Sequence, residues 1–183
     1  PDATLPTLQS ALRRHDYHIF HFVGHGDFDE VNGQGHIVFT DSAGHANLLP
    51  GDVLAQLLHN ERSLRLAMLN ACEGSQTTTA NPFGGVAQLL VQQGVPAVIA
   101  MRQPISDEAA IAFSHEFYAA LADGYSVDAA VTEGRVAIAT RMGNGEWGTP
   151  QLMMHAADGM LWQVAATANG PVIDGAAISA DLN

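Results

Sequence analysis

Two largely apolar runs, at residues 17–23 and 64–69, most constrain the fold of this chain. Short apolar runs bounded by glycine-containing loops are typical of strands that are buried on both faces. Segments with helical spacing follow them, so strands and helices alternate through the middle of the chain. This alternation predicts an α/β fold with a mostly parallel sheet that helices cover on both faces.

The other elements follow from local signals. Apolar spacing and capping residues predict helices from Gly51, from Pro82 to Gly94, after Ser106 and after Ser126. The remaining strands are expected as a hairpin beginning at 36–40, a third core strand at 95–101, and two closing strands at 150–155 and 160–164 around an Asp158-Gly159 turn.

The length of 183 residues and an apolar share of 47% suit one compact domain. We expect this domain over residues 1–168, with 169–183 as a C-terminal tail or linker. The chain opens at Pro1 without an initiator methionine, and we expect it to be part of a longer protein.

Charge and cysteine content narrow the class of protein. The formal charge of −12 disfavours nucleic acid and anionic membranes as partners. No apolar stretch approaches the roughly 18 residues of a membrane span. A single cysteine cannot form an internal disulfide and suits a reducing compartment, so we expect a cytoplasmic protein.

That cysteine, Cys72, follows the second apolar run, and His25 follows the first, 47 residues earlier. The carboxyl ends of parallel strands meet at one sheet edge, so a thiol and an imidazole are expected together there. This is the requirement for a cysteine nucleophile that histidine activates. We expect the backbone amides of Gly26 and Cys72 to donate to the oxyanion.

Each of these residues also has a structural interpretation. A lone cysteine is commonly a buried packing residue. His25 could be a turn histidine that the backbone satisfies, although Gly24 and Gly26 would permit a tight turn that leaves its ring uncovered.

Cofactor sites are not predicted. His18 and His21 have opposite strand parity, so no metal site is expected, and His21 is interpreted as a core histidine. A calcium site at Asp27, Asp29 and Glu30 lacks regular ligand spacing, and a solvated acidic loop is favoured. The segment Gly24-His25-Gly26 lacks the lysine of a phosphate loop.

Polar residues after the third core strand should share the edge with His25 and Cys72. Ser106 is expected to cap a helix, and Asp107 could contact a basic substrate side chain. Arg102 could neutralise that acid or select an acidic substrate, so the charge preference stays open.

Six segments of the chain resemble the CHAT domain, a caspase-like module that is often joined to sensor regions in bacteria. These segments are residues 21–26 (HFVGHG), 69–74 (LNACEG), 94–101 (GVPAVIAM), 104–110 (PISDEAA), 117–124 (FYAALADG) and 147–150 (WGTP). The second is also close to the caspase signature, which has its histidine about 50 residues upstream.

The resemblance implies a caspase-like three-layer sandwich and peptide-bond cleavage by His25 and Cys72. It aligns Asp107 with an acid that is linked to substrate selection. Position 103, usually aromatic in this family's motif, is Gln103. We therefore expect substrate contacts from Asp107, Ser106, Arg102, Gln103 and Glu73.

The main hypothesis is a cysteine endopeptidase that acts through a thioester acyl-enzyme and needs no cofactor. It would be the regulated effector domain of a larger bacterial signalling or defence protein, with a protein or peptide substrate and sensor or regulatory domains as partners. The alternatives are a catalytically silent caspase-like adaptor that binds protein partners and a nucleotide or small-molecule binder of doubly wound type.

Overall fold

The computed structural model describes residues 3–71, 82–143, 145–155, 158–162, 165–167, 170–172 and 176–181. The helices in these ranges are α1 (Leu5–Leu12), α2 (Gly51–His59), α3 (Pro82–Gln92), α4 (Asp107–Ala122), α5 (Val127–Met142) and a 3-10 helix (Gly145–Gly148). The strands are β1 (Tyr17–Gly24), β2 (Gly26–Asp29), β3 (Gln34–Thr40), β4 (Ala46–Pro50), β5 (Leu66–Ala71), β6 (Ala97–Met101), β7 (Pro150–Met154), β8 (Ala165–Thr167), β9 (Gly170–Val172) and β10 (Ala176–Asp181).

A five-stranded sheet forms the centre of the fold, in the order β10-β1-β5-β6-β7. The first four of these strands run parallel, and β7 pairs with β6 in the antiparallel sense. All five residues of β6 are buried, as expected for a strand covered on both faces. Five α-helices in the described residues flank the sheet, so the predicted α/β class and mostly parallel sheet are confirmed.

Neighbouring residues of β1 show which elements cover each face of the sheet. Phe22 packs against Phe39 of β3 and Phe83 of α3, with ring centroids 5.8 and 6.2 Å apart. His21 points to the opposite face and meets Tyr118 of α4. The sheet is therefore the middle layer of a sandwich, in agreement with the caspase-like architecture that the resemblance implies.

Most predicted helix boundaries agree with the structure. The Ser106 side chain caps α4 by accepting a hydrogen bond from the Ala109 amide at 3.4 Å. Ser126 occupies the N-cap of α5, although its side chain makes no capping hydrogen bond. Gly143 ends α5 with φ +63°, a left-handed conformation that favours glycine.

The second closing strand is wrong over the part of it that is described. Residues 160–162 are not in a strand, and 163–164 lie outside the described residues. The Gly159 carbonyl accepts a hydrogen bond from the Val127 amide at the start of α5, and the Asp158 carboxylate accepts one from the Met160 amide. This segment thus supports a helix terminus instead of extending the sheet.

Strand β10 lies within residues 169–183, the stretch expected to form a tail or linker. It pairs in parallel with β1 along the edge of the central sheet. The boundary between domain and tail stays a prediction.

Candidate active site

The candidate site lies at the carboxyl edge of the central sheet, where β1, β5 and β6 end. Gly24, the last residue of β1, is the register partner of Ala71, the last residue of β5. His25 follows Gly24 in the chain, and Cys72 follows Ala71. Cys72 and Glu73 lie outside the described residues, so their roles stay predictions.

His25 is a single residue between β1 and β2. Its carbonyl accepts a hydrogen bond from the Val38 amide of β3 at 2.9 Å, which fixes its backbone. The side chain is exposed, and its ring makes no hydrogen bond with any residue that the structure describes. An exposed imidazole on a fixed backbone can exchange protons with a neighbouring group.

The Gly26 amide has a direction that follows from the β2–β3 pairing. Gly26 pairs with Ile37, and the preceding residues are joined by the bond from Val38 to His25. Hydrogen-bonded and non-hydrogen-bonded pairs alternate in an antiparallel ladder, so Gly26–Ile37 is a non-hydrogen-bonded pair. The Gly26 N–H therefore points away from β3. Because β2 is an edge strand of the small sheet β2-β3-β4, this amide is not used within that sheet.

The segment after β6 forms one rim of the edge. Arg102 and Gln103 are exposed, and so is Asp107 at the first position of α4. The Arg102 amide donates to the Thr149 carbonyl at 2.9 Å, which ties this rim to the segment before β7. The rim thus presents a guanidinium and a carboxylate to solvent.

Ser106, by contrast, is half-buried and hydrogen-bonded to a distant part of the chain. Its amide donates to Glu146 Oε1 at 2.7 Å, and its hydroxyl donates to Glu146 Oε2 at 3.0 Å. The cap role predicted for Ser106 is confirmed, whereas its substrate contact stays a prediction. Sequence reasoning missed Glu146, because nothing in the local pattern distinguishes it from any acid in a glycine-rich turn.

A polar cluster of His21, Asn70 and Tyr118 lies behind the edge. The Asn70 amide nitrogen is 3.2 Å from His21 Nε2, and the Tyr118 hydroxyl oxygen is 3.0 Å from His21 Nδ1. Burial raises the pKa of Tyr118 far above its usual value, so the hydroxyl stays neutral. His21 is therefore a half-buried histidine, and sequence reasoning did not single out its two polar partners, Asn70 and Tyr118.

Comparison with protein families decides the relationship. The sequence model of the family described as "CHAT domain" matches residues 1–169, which is most of the chain. The chain belongs to the CHAT domain family. CHAT domains are related to the caspase-like cysteine peptidases, in agreement with the resemblance of the six sequence segments. The comparison with curated proteins found no match.

The solvated acidic loop predicted at Asp27, Asp29 and Glu30 is wrong for the first two residues, because both are half-buried in strand β2. Only Glu30 lies in the exposed turn that follows. The Asp29 carboxylate accepts hydrogen bonds from the Val31 and Asn32 amides and from the Asn32 side chain. These bonds, led by those from Asn32, lower the pKa of Asp29. Across the described ranges, no group of three or more His, Cys, Asp or Glu side chains is arranged to hold a metal ion.

Among the described helices, none has both the length and the apolar character that a bilayer crossing requires.

Proposed function

We propose that this CHAT domain is a cysteine endopeptidase that cleaves a protein or peptide substrate with Cys72 as nucleophile and His25 as general base. The observation that carries the proposal is the register of β1 with β5. Gly24 and Ala71 are paired, and the two reactive side chains belong to the next residue of each strand. Family membership supports the same chemistry.

The reaction would proceed through a thioester. The Cys72 sulfur bonds to the scissile carbonyl carbon while its proton passes to His25. The carbon–nitrogen bond then breaks, and His25 gives the proton to the leaving amine. His25 then takes a proton from water, whose oxygen bonds to the thioester carbonyl carbon. The carbon–sulfur bond breaks, and His25 returns the proton to the sulfur, which leaves the acid product and the free thiol.

The oxyanion of each tetrahedral intermediate needs hydrogen-bond donors that are fixed in advance. The Gly26 amide is one proposed donor, supported by its direction away from β3 and by the buried position of this residue. The Cys72 amide is the second proposed donor, by analogy with the family.

Substrate selection is proposed at the rim, with Asp107, Arg102, Gln103 and Glu73 as contacts. The exposed carboxylate of Asp107 would favour a basic substrate side chain, and the exposed guanidinium of Arg102 would favour an acidic one. A peptide-library cleavage profile of the wild type, Asp107→Asn and Arg102→Gln separates these contributions. The substitution that changes the preferred charge identifies the selecting residue.

The function is tested with the wild type and Cys72→Ala on the same peptide library. We expect the wild type to cleave and Cys72→Ala to be inactive with an unchanged unfolding transition. Cleavage by Cys72→Ala would overturn the proposal. Retention of the fold is checked by circular dichroism.

A catalytically silent adaptor would give a different result. Its Cys72 would react with a thiol-directed peptide electrophile no faster than a free thiol does, whereas an activated nucleophile reacts faster.

We further propose that this domain is the regulated effector of a larger bacterial signalling or defence protein in the cytoplasm, with sensor or regulatory domains as partners.

A further inference from the structure

The polar cluster of His21, Asn70 and Tyr118 joins three elements of the fold. His21 lies on β1, Asn70 on β5 and Tyr118 on α4. Asn70 is only 3% exposed, in a strand whose residues 66–69 are all buried and apolar. Asn70 is therefore a polar residue in the core, and the half-buried His21 and Tyr118 join it directly behind the carboxyl edge of the sheet.

The direction of the hydrogen bonds follows from the chemistry of the groups. The Asn70 amide nitrogen can only donate, so His21 Nε2 must accept. His21 is then neutral with its proton on Nδ1, and that N–H donates to the Tyr118 oxygen. The Tyr118 O–H in turn faces the Met68 sulfur at 3.9 Å. The cluster is thus a directed chain of neutral groups.

Such a cluster is costly for packing alone. Buried polar groups stabilise a fold less effectively than apolar residues of the same shape unless every polar atom is bonded. Asn70 Oδ1 is buried and has no hydrogen-bond partner among the described residues. An apolar side chain at this position would avoid that cost, so stability alone does not account for Asn70.

The position of the cluster suggests what it does instead. Asn70 is the register partner of Val23, one step before the Gly24–Ala71 pair at the sheet edge. The residues after that pair are His25 and Cys72. A cluster that fixes β1, β5 and α4 to each other therefore fixes the ends of the two strands that precede His25 and Cys72.

We propose that His21, Asn70 and Tyr118 are positioning residues that align His25 with the Cys72 thiol. The inference rests on the proposed function, since it assumes that these two residues react together. It goes beyond that function by assigning roles to three residues that do not touch the substrate.

The test compares Tyr118→Phe with Ser63→Ala. Both variants delete one half-buried hydroxyl, and Ser63 bonds the Tyr17 carbonyl at the opposite edge of the sheet. Three experiments are made on each variant: peptide cleavage kinetics, which give kcat and KM, the pH profile of iodoacetamide alkylation at Cys72, and urea unfolding. Cys72 is the only cysteine, so alkylation reports on it alone.

We expect Tyr118→Phe to lower kcat by about tenfold with little change in KM, because small errors of alignment cost rate. The alkylation midpoint should rise towards about 8.5, the value of a free thiol. Ser63→Ala should change neither kcat nor the alkylation midpoint, even if the two variants lose similar stability. A purely structural role would leave kcat and the alkylation profile of Tyr118→Phe unchanged.

A second variant guards against misfolding. Asn70→Asp keeps the side-chain shape but replaces the donor to His21 with an acceptor, and we expect the same effects. If both variants fail to fold, the cluster is structural and the proposal is wrong. It is also wrong if both fold and match the wild type.

The outcomes also separate this inference from the proposed function. A wild type that cleaves peptides, with unaltered kcat and alkylation in both variants, overturns the inference alone. A wild type that cleaves nothing, but whose alkylation profile shifts in Tyr118→Phe, overturns the peptidase proposal and supports the positioning of the thiol.

Discussion

Ser106 and Glu146, 40 residues apart in sequence, are joined by two hydrogen bonds to the two oxygens of one carboxylate. The bonds connect the N-cap of α4 to the 3-10 helix Gly145–Gly148. Asp107 directly follows Ser106 as the first residue of α4, so the position of Asp107 on the rim depends on this connection.

Glu146→Ala should therefore weaken both the fold and the rim. We expect a loss of about 2 kcal/mol in the free energy of unfolding, because hydrogen bonds to charged groups are the stronger ones. If the rim binds substrate, KM should rise as well. Urea denaturation and peptide kinetics measure the two effects. Glu133→Ala, on the exposed side of α5, is the control and should change neither by much.

His25→Gln should separate chemistry from stability. The His25 ring is exposed and makes no hydrogen bond with the described residues, so the free energy of unfolding should change by less than about 0.5 kcal/mol. Loss of a general base should lower kcat by roughly 10²–10⁴-fold. His155→Gln, another exposed histidine, should retain activity. Full cleavage by His25→Gln would remove His25 from the mechanism.

Gly134→Ala should destabilise the contact between α4 and α5. A Cβ at this position would lie 2.6 and 2.7 Å from the Phe113 ring and 3.1 Å from the Phe113 carbonyl oxygen. Because Phe113 is fully buried, we expect a loss of about 1–3 kcal/mol by overpacking.

The matched control is Gly85→Ala in α3, where a Cβ would meet nothing within 4 Å. Alanine is the better helix former, so this variant should gain about 0.5–1 kcal/mol. Thermal unfolding should place the two variants on opposite sides of the wild type. The same sign for both would show that the close contact has no energetic weight.

Glu61→Gln should increase stability in a pH-dependent manner. Burial, reinforced by Asp16, raises the pKa of Glu61. Ionisation is then less favourable in the folded than in the unfolded chain, so the wild type loses stability as pH rises through the ordinary range of a glutamate. Glutamine cannot ionise.

Thermal unfolding at two pH values checks this expectation. Glu61→Gln should unfold at a higher temperature than the wild type at pH 7, and the difference should vanish below about pH 4. Glu133→Gln removes the same charge from an exposed site and serves as the reference. A gain that is equal at both pH values would show that it does not come from ionisation.

Local patterns were sufficient to predict most of the elements that carry the site, but not strand β2, because its first residue, Gly26, was assigned to a turn. The apolar runs at 17–23 and 64–69 identified β1 and β5, because strands buried on both faces leave a continuous hydrophobic trace. Serine marked helix starts, because its side chain can accept a hydrogen bond from a free backbone amide there, and glycine marked helix ends, because it readily adopts the left-handed conformation found there. The shared edge of β1 and β5 then followed from parallel topology.

Contacts between distant segments could not be predicted in this way. Tyr118 and His21 are in contact although 97 residues separate them in the chain, and the sequence around either residue does not indicate the other as its partner. Residues 160–162 have strand-like composition, but the bond from the Val127 amide to Gly159 commits this segment to the start of α5. In both cases a tertiary hydrogen bond decided the outcome, and a window of sequence does not contain it.

The lone position of His25 between two strands has a mechanical consequence. β1 belongs to the central sheet and β2 to the small one, and one residue gives the chain no slack between them. A rotation of the small sheet against the central sheet must therefore turn the backbone that holds the imidazole. A displacement of β2, β3 or β4 would move His25 directly, through its covalent link to β2 and its hydrogen bond to Val38 of β3, and would not need to involve β5.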